Sequence, residues 1–305
     1  MTFRAFFFRF LPSRILSKLS GALARIPLPR FLRKPILGGF ARIYRIDLRE
    51  VEGDLTSFSS LQAFFIRRLK EGARPVKEDQ ALVVSPVDGR VLTAGPLEET
   101  TLLPIKGARF TVPELLGRED PSLEGGLQVT LYLSPSDYHR IHAPISGRVS
   151  FWSHIPGRLL PVNPFTVRSV EGVFPGNERV VSLWEGEEEG RGLWMVLVGA
   201  LNVGSIRVLW DPELETNRFR PRSKEGRSSR PRRFAQGEEA ARFELGSTVV
   251  LLLPGGRARL VEGVKPGETV KVGEPLGQWI GTGRPGEREE SPPEPGEEAP
   301  SGFPP

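Results

Sequence analysis

The sequence predicts an α+β fold that is mostly β, in which amphipathic helices precede a β-rich core. Three observations support this class. Apolar residues recur at helical spacing in the first 70 residues. From about residue 75 to about residue 280, short Val/Leu-rich runs alternate with Gly and Pro, as in strands joined by turns. The chain also has 305 residues, which is long enough to bury a full-sized core.

The first predicted elements are two N-terminal amphipathic helices. Five apolar residues follow one helical face at steps of four, four, four and three: Leu11, Ile15, Leu19, Leu23 and Ile26. Arg14, Lys18 and Arg25 lie off that face, as in a helix that rests on a membrane surface. Pro27 ends this helix, and a second helix is predicted from about Phe31 to Tyr44.

Positive charge is concentrated at the same end of the chain. The formal net charge is +5, but residues 1–50 hold 11 Lys and Arg against Asp47 and Glu50, which gives 11 − 2 = +9 there. Local cations among apolar residues favour an anionic membrane surface over nucleic acid. The alternatives are a solvated basic tail and an apolar stripe packed on the protein's own core. No stretch has the roughly 20 apolar residues of a spanning helix, and no signal-peptide pattern is present.

The region after the N-terminal helices is predicted to contain one more helix and then strands. A helix is expected from Ser57 to Lys70, because four apolar residues are spaced for one buried face: Leu61, Phe64, Phe65 and Leu69. Residues 85–91 and 143–149 then share a small-Pro-aliphatic-polar-Gly-Arg-Val pattern, and residues 264–273 form a Gly-paced strand–turn–strand pattern. These pieces resemble the barrel-sandwich folds of biotinyl and lipoyl carriers, so a barrel-sandwich-like β core is predicted.

Composition divides the chain into three regions: 1–45 with the basic amphipathic helices, 46–282 as the main domain, and 283–305 as a disordered tail rich in Pro, Gly and Glu. Within the main domain, residues 218–233 form a loop with eight cations and one acid. That loop is interpreted either as a surface for phospholipid head groups or phosphate, or as a disordered solvated loop. The absence of cysteine excludes disulfides, thiolate catalysis and Cys-ligated metal centres.

The most informative chemical feature is the pair Gly246 and Ser247, which leads into the apolar run Val249 to Leu253. The hydroxyl of Ser247 is a nucleophile, and the nearest carbonyl carbon belongs to Gly246, which has no side chain to shield it. This is the local chemistry that a self-cleaving serine needs.

Two of the three histidines, His139 and His142, lie in one short segment. Pro135 and Pro144 bracket that segment and alternating apolar residues precede it, which favours a strand that runs into a loop. No third metal ligand is evident by spacing, so no metal site is predicted. A histidine at a strand end is a suitable base for a nucleophile when an acceptor fixes its tautomer. Asp88 is the best-placed carboxylate by motif, although Asp-Gly is also ordinary turn chemistry.

Taken together, the motifs give the chain a resemblance to the bacterial-type, pyruvoyl-dependent phosphatidylserine decarboxylases, from about Arg45 to Trp279. The matching motifs, in order, are SPVDG at 85–89, YLSP at 132–135, DYHRIH at 137–142, PVN at 161–163, NER at 177–179, VGA at 198–200, VGSI at 203–206 and LGST at 245–248. The LGST run alone is weakly specific, whereas the ordered set is highly specific. The chain departs from the family pattern in its Pro/Glu tail and in its Arg-rich loop.

The resemblance implies a precursor that cleaves itself between Gly246 and Ser247, with His142 as the base and Asp88 orienting it. Ser247 would become a covalent pyruvoyl cofactor, and residues 46–282 would be the catalytic domain. The cofactor would form a Schiff base with the serine amine of phosphatidylserine, and its carbonyl would accept electrons as carbon dioxide leaves. His139 is the candidate acid that completes the step to phosphatidylethanolamine.

The expected partners are phosphatidylserine, an anionic membrane surface and the two cleaved chains, 1–246 and 247–305, as a heterodimer. Peripheral attachment to the cytoplasmic face of the membrane is expected. No nucleic acid is expected as a partner, and a homo-oligomer is possible.

The competing interpretations are a pyruvoyl decarboxylase of another serine-linked lipid, a biotinyl-like scaffold without enzymatic activity, and a serine hydrolase. The Gly255-Gly256 turn lacks the lysine that a carrier needs, and the G-x-S-x-G pattern of many hydrolases is missing at Ser247.

Overall fold

The structure is a computed structural model of the intact chain. It describes residues 13–76, 78–98, 110–162, 172–201, 205–218, 222–227, 232–244 and 247–280. The predicted tail at 283–305, part of the 218–233 loop, and the residues Leu11, Leu245 and Gly246 lie outside the described residues.

Five α-helices are present in the described residues: α1 Ser13–Arg25, α2 Arg30–Tyr44, α3 Leu61–Phe65, α4 Val112–Leu116 and α5 Val173–Gly176. Both predicted N-terminal helices are confirmed. The buried face of α1 consists of small residues, namely Ser13, Ser17, Gly21 and Ala24. The predicted apolar stripe of α1 points the other way, since its described members Ile15, Leu19, Leu23 and Ile26 are all exposed. The stripe therefore does not pack on the protein's own core.

The predicted helix from Ser57 to Lys70 is wrong in its extent. The helical residues form only a 3₁₀ turn at Leu55–Ser57 and the short helix α3. The chain leaves the helix because Lys70 donates a backbone hydrogen bond to Glu50 and Glu52 donates one to Arg68. Pairing with residues 50–52 therefore replaces the last turns of the predicted helix. Phe64 and Phe65 of α3 are buried, as predicted.

The first eight strands are β1 Leu82–Val84, β2 Gly89–Pro96, β3 Leu127–Leu133, β4 Arg140–His142, β5 Gly147–Ile155, β6 Arg179–Gly186, β7 Gly192–Gly199 and β8 Ile206–Val208. The last seven are β9 Lys224–Gly226, β10 Arg233–Phe234, β11 Glu239–Phe243, β12 Ser247–Leu253, β13 Ala258–Leu260, β14 Thr269–Val270 and β15 Pro275–Trp279. The predicted strand-to-loop passage through the two histidines is confirmed, because β3 ends at Leu133 and the short strand β4 begins at Arg140.

The strands form one large sheet and two small ones. The large sheet runs in the order β10-β5-β6-β7-β12-β3-β2-β14, with β9 paired to β5, and the small sheets are β1-β15-β13 and β4-β11-β8. All described pairings between named strands are antiparallel. The predicted mostly-β α+β class is confirmed, although the sheets are open rather than closed into barrels. Every residue of β12 is buried, because β12 lies between β3 and β7 in the middle of the large sheet.

The two repeated segments adopt the same local structure. Each makes a turn and enters a long strand at its glycine, β2 at Gly89 and β5 at Gly147. A short edge strand pairs with the first two residues of each, β14 with β2 and β10 with β5. Glycine is required at this point, because a Cβ at Gly89 would lie 2.7 Å from the Tyr132 carbonyl oxygen and one at Gly147 would overlap the Glu185 carbonyl oxygen. The repeat therefore marks two equivalent entries into the large sheet.

The described part of the basic loop contributes two edge strands, β9 and β10. Lys224 of β9 forms an ion pair with Asp211 and lies over the Trp152 ring. Arg232 forms an ion pair with Glu238 and lies over the Phe234 ring. These cations are thus held against the sheet by the protein's own acids and aromatic rings, and the disordered-loop interpretation does not fit these residues.

Candidate active site

Ser247 occupies the first position of the central strand β12. It pairs with Leu133 of β3 on one side and with Gly199 of β7 on the other. The side chain is fully buried, and its Oγ makes no hydrogen bond within the described residues. A buried hydroxyl without a partner costs about 1–3 kcal/mol relative to one that is satisfied. The neighbouring Thr248 Oγ1 is in the same state, so what distinguishes Ser247 is its position directly after Gly246 at the start of β12.

A buried asparagine holds the strand next to Ser247 in place. The side-chain amide of Asn177 donates to the carbonyl oxygens of Leu160 and Gly199, each at 2.9 Å, and its Oδ1 accepts from the Leu160 amide. Gly199 is the β7 residue opposite Ser247. Asn177 therefore ties the loop at Leu160 to the edge of the site, a long-range contact that spacing along the chain does not reveal.

The backbone brings the three predicted motifs together. His142 donates its backbone N–H to the Pro86 carbonyl, which connects the histidine segment to the turn that contains Asp88. Phe243 donates its backbone N–H to the His139 carbonyl, which connects the same segment to the residues that lead into Ser247. The turn, the histidine segment and the strand that begins at Ser247 are thus brought close together, although they are far apart in sequence.

His142 is held as a neutral imidazole. Its Nδ1 lies 2.7 Å from the Gly237 carbonyl oxygen, so Nδ1 carries the proton and donates it. Its Nε2 accepts from the Tyr138 hydroxyl at 3.2 Å. Burial lowers the pKa of His142 below its usual value, while the hydrogen bond to Gly237 and the charges of Glu239 and Asp88 act in the opposite direction. Burial also raises the pKa of Tyr138 to about 12, so its hydroxyl remains a donor.

Asp88 is held by an arginine and does not contact His142 directly. Nε of Arg74 lies 2.9 Å and 3.0 Å from the two carboxylate oxygens of Asp88, and the Val272 amide donates to Oδ1 at 2.9 Å. Asp88 therefore acts on His142 only through its charge, and the Gly237 carbonyl occupies the orienting position that the sequence had suggested for Asp88. Among the described residues, Ser247 Oγ likewise has no hydrogen bond to either histidine.

His139 is the more deeply buried of the two histidines. Its Nδ1 lies 2.8 Å from the backbone carbonyl oxygen of Asp137, to which it donates, and its ring centroid lies 4.0 Å from that of Phe65. Nε2 is buried and has no hydrogen-bond partner in the described part of the chain. Burial lowers the pKa of His139 to about 3, so the ring is neutral near pH 7 and Nε2 presents a lone pair.

Sequence reasoning missed three members of this arrangement: Arg74, Tyr138 and Gly237. Tyr138 lies inside the DYHRIH motif, so the motif itself was a signal for it. Arg74 and Gly237 carried no local signal, because their roles depend on contacts across 14 and 95 residues of sequence.

Comparison with known proteins gives a consistent result. The family model described as "Phosphatidylserine decarboxylase" matches residues 61–278. A relative named "Phosphatidylserine decarboxylase proenzyme" from Halorhodospira halophila is 42% identical over 272 residues, which cover 88% of this chain and 91% of the relative. Proteins of the same name from Anaeromyxobacter sp. and Brevibacillus brevis are 41% and 36% identical, over 88% and 87% of this chain and 95% and 94% of their own lengths. The chain belongs to the phosphatidylserine decarboxylase family.

Proposed function

We propose that this protein decarboxylates phosphatidylserine to phosphatidylethanolamine with a pyruvoyl group that it makes from its own Ser247. The observation that carries the proposal is the position of Ser247: its buried, unpartnered Oγ lies at the first residue of β12, and Phe243, four residues earlier, is bonded through its backbone to His139. The relatives are named as proenzymes, which supports a precursor that is processed. The site fits the group, since a residue here would be enclosed by protein on both sides of the strand.

Maturation uses only atoms of the chain and one water molecule. Ser247 Oγ attacks the carbonyl carbon of Gly246, and the C–N bond breaks as an ester forms. Loss of the Ser247 α-proton and departure of the Gly246 carboxylate leave a dehydroalanine. Water then replaces the nitrogen, which leaves as ammonia, and a ketone remains at the new amino terminus. The products are the chains 1–246 and 247–305, the latter of 305 − 246 = 59 residues.

His142 is the base for the Ser247 hydroxyl in this scheme. Its neutral state provides a lone pair on Nε2, which the Tyr138 hydroxyl occupies in the intact chain. A small shift that releases Tyr138 frees Nε2 for the serine proton. The imidazolium that forms is then stabilised by the Gly237 carbonyl at Nδ1 and by the charge of Asp88, which Arg74 holds in position.

In decarboxylation, the pyruvoyl group would supply an electron-accepting carbonyl that is covalently linked to the substrate amine. The chain itself supplies proton transfer. Once the substrate amine has lost a proton in forming the linkage, His139 Nε2 is the proposed site that carries a proton within the active site. It can then return that proton to the carbon that has lost carbon dioxide. The direct contact of Nδ1 with the Asp137 carbonyl keeps the ring oriented during both transfers.

The proposed reaction is tested by incubating the purified full-length protein with vesicles that contain phosphatidylserine labelled in the serine carboxyl group. We expect release of labelled carbon dioxide together with an equal amount of phosphatidylethanolamine. Release of free serine or fatty acid instead would indicate a hydrolase. Vesicles with another serine-linked lipid serve as the comparison, and faster decarboxylation of that lipid would contradict the substrate assignment.

We further propose that residues 1–45 attach the catalytic domain, 46–282, peripherally to the anionic cytoplasmic face of the membrane. Within the described residues, no helix combines the length and the apolar composition that crossing a bilayer requires. Helices α1 and α2 instead expose large apolar side chains, among them Leu19, Leu23, Phe31 and Ile43. A helix that turns small residues inward and leucines outward is suited to an interface with lipid.

Substitution of Leu19 and Leu23 by serine tests this attachment. These side chains are 56% and 68% exposed, so folding should be little affected. If each contributes about 1 kcal/mol by partial burial in the bilayer, the double variant binds vesicles about 30-fold more weakly. The measurement is co-sedimentation with phosphatidylserine-containing vesicles.

The matched control is Ile280→Ser, which removes an apolar side chain that is 47% exposed outside the N-terminal helices. Equal binding of all three proteins would refute the attachment. Deletion of residues 1–45 is less informative, because it removes Leu37 and Ala41, which are buried in a cluster with Phe64.

A further inference from the structure

A polar cleft lies between helix α1 and residues 205–218, around strand β8. Its volume is about 540 Å³. One wall is formed by α1 residues, including Ser17 and Lys18, and the other by residues around β8 and by the turn at 215–218. We propose that this cleft binds the phosphate of an anionic phospholipid head group. The proposal extends the proposed function and rests on it for the identity of the substrate lipid.

The charge of the cleft matches such a ligand. Its described lining carries four cations: Lys18, Arg25, Arg207 and Arg218. Glu215 also lines it, and Glu244 lies behind Arg25 and Arg207 at 2.7 Å and 3.8 Å. The balance is 4 − 2 = +2. Guanidinium and ammonium groups bind phosphate by charge-assisted hydrogen bonds.

The cations are both fixed and accessible. The side chains of Arg207 and Arg218 line the cleft and are 38% and 64% exposed, so solutes can reach them. Buried polar residues, including Ser17, Ser205 and Thr216, also line the cleft. A phosphate that enters the cleft would therefore meet exposed guanidinium groups, while the hydroxyls of Ser205 and Thr216 are engaged by Glu244 and by the Ile206 backbone.

The cleft is rigidly connected to the main domain. Nη1 of Arg14 donates to the Arg218 carbonyl at 2.8 Å, and its Nη2 donates to the Gly157 carbonyl at 2.5 Å. The Leu159 amide donates to the hydroxyl of Ser13, the first residue of α1. These bonds connect the start of α1 to residues 157–159 and to Arg218, so they join the two walls of the cleft.

The cleft has the proposed membrane-binding helix on one side and residues that contact Glu244, close to Ser247 in sequence, on the other. On one side, Lys18 precedes Leu19 on α1, whose apolar face is exposed toward the proposed bilayer. On the other side, Ser205 Oγ donates to Glu244 at 2.7 Å, and Glu244 is three residues before Ser247. A lipid phosphate in the cleft would thus lie between the membrane-facing helix and the residues that lead into the catalytic centre.

Binding of water-soluble head groups to the uncleaved Ser247→Ala protein tests the proposal without turnover. The probes are glycerophosphoserine, glycerophosphoglycerol and inorganic phosphate, measured by isothermal titration calorimetry. We expect both diesters to bind and Arg207→Gln to weaken them at least about tenfold. The matched control is Arg42→Gln, which removes the same charge from exposed α2 and should leave both affinities unchanged. If Arg207→Gln fails to fold, Lys18→Gln replaces it from the opposite wall.

The outcomes separate the sources of the phosphate. Tighter binding of glycerophosphoserine than of glycerophosphoglycerol assigns the cleft to the substrate, and equal binding assigns it to anionic phospholipids in general. Binding of inorganic phosphate alone, or equal losses in the two Arg→Gln variants, overturns the proposal. Because the Ser247→Ala protein performs no chemistry, a failed decarboxylation assay would reject the proposed function without affecting this result.

Discussion

Replacement of Ser247 by alanine is expected to leave the chain uncut and without decarboxylase activity. The only nucleophile proposed to act on the Gly246 carbonyl is the Ser247 hydroxyl, so its loss removes the first step of maturation and the source of the ketone. On denaturing gels and by intact mass, the wild-type protein should give two chains, of which the 59-residue chain 247–305 lacks a free amino terminus. The variant should give one chain of 305 residues.

This loss should occur without loss of stability. Ser247 Oγ is buried and has no hydrogen-bond partner in the described residues, so alanine removes an unsatisfied polar group and leaves no new one. Removal of such a hydroxyl is nearly neutral or stabilising. The urea midpoint of Ser247→Ala should therefore be no lower than that of an uncleaved reference, for which His142→Ala is suitable.

Thr248→Val is the matched control for the nucleophile. Thr248 is the next residue of β12, it is fully buried, and its Oγ1 also has no partner among the described residues. Valine keeps the shape and removes the hydroxyl, so cleavage should proceed at the wild-type rate. The assignment fails if Ser247→Ala still separates into two chains, or if Thr248→Val alone remains uncut.

Local patterns predicted the elements of this fold well where the physical cause is local. The helical spacing of apolar residues and the prolines at 27 and 29 placed the end of α1 and both ends of α2 within about one residue of their observed bounds. The apolar run after Ser247 predicted β12, because a continuous apolar strand is typical of the centre of a sheet.

The failures have a common cause, which is pairing across long stretches of sequence. Residues 68–70 were predicted to continue the helix, yet they pair with residues 50–52, and this tertiary contact overrides local propensity. The same holds in the site. Motif order indicated that Asp88 and His142 belong together, but not that Arg74 would hold the carboxylate or that Gly237 would accept from the imidazole.

The direction of the α1 stripe is a different case. Periodicity shows that apolar residues share a face, but it does not say whether protein or lipid covers that face. The structure shows that protein does not cover the apolar stripe, because the small residues of α1 are buried and the leucines are exposed. The pattern did not reveal that the buried face of α1 consists of small residues such as Ser17 and Gly21.

His139→Ala is expected to separate the two activities of the site. Maturation depends on His142 in this scheme, so the His139 variant should still yield the chains 1–246 and 247–305. Decarboxylation should fall by about 10²- to 10⁴-fold in kcat, the usual contribution of a positioned acid–base group. His142→Ala should behave in the opposite way and accumulate precursor. Intact mass measures the first property, and carbon dioxide release from the matured fraction measures the second.

The pH dependence of the His139 step provides an independent check on its environment. An exposed histidine would change protonation near 6.5, but burial lowers the pKa of His139 to about 3. The sign follows from this depression: the neutral form is favoured, so the lone pair on Nε2 persists as the pH falls from about 8 to about 5. The decarboxylation rate of the matured wild-type protein, followed against pH, should therefore show no step near pH 6.5 that is due to His139. In particular, no step near pH 6.5 should be present in the wild type and absent in His139→Gln. Such a step, or an uncut His139→Ala chain, would show that His139 is not a buried proton carrier dedicated to decarboxylation.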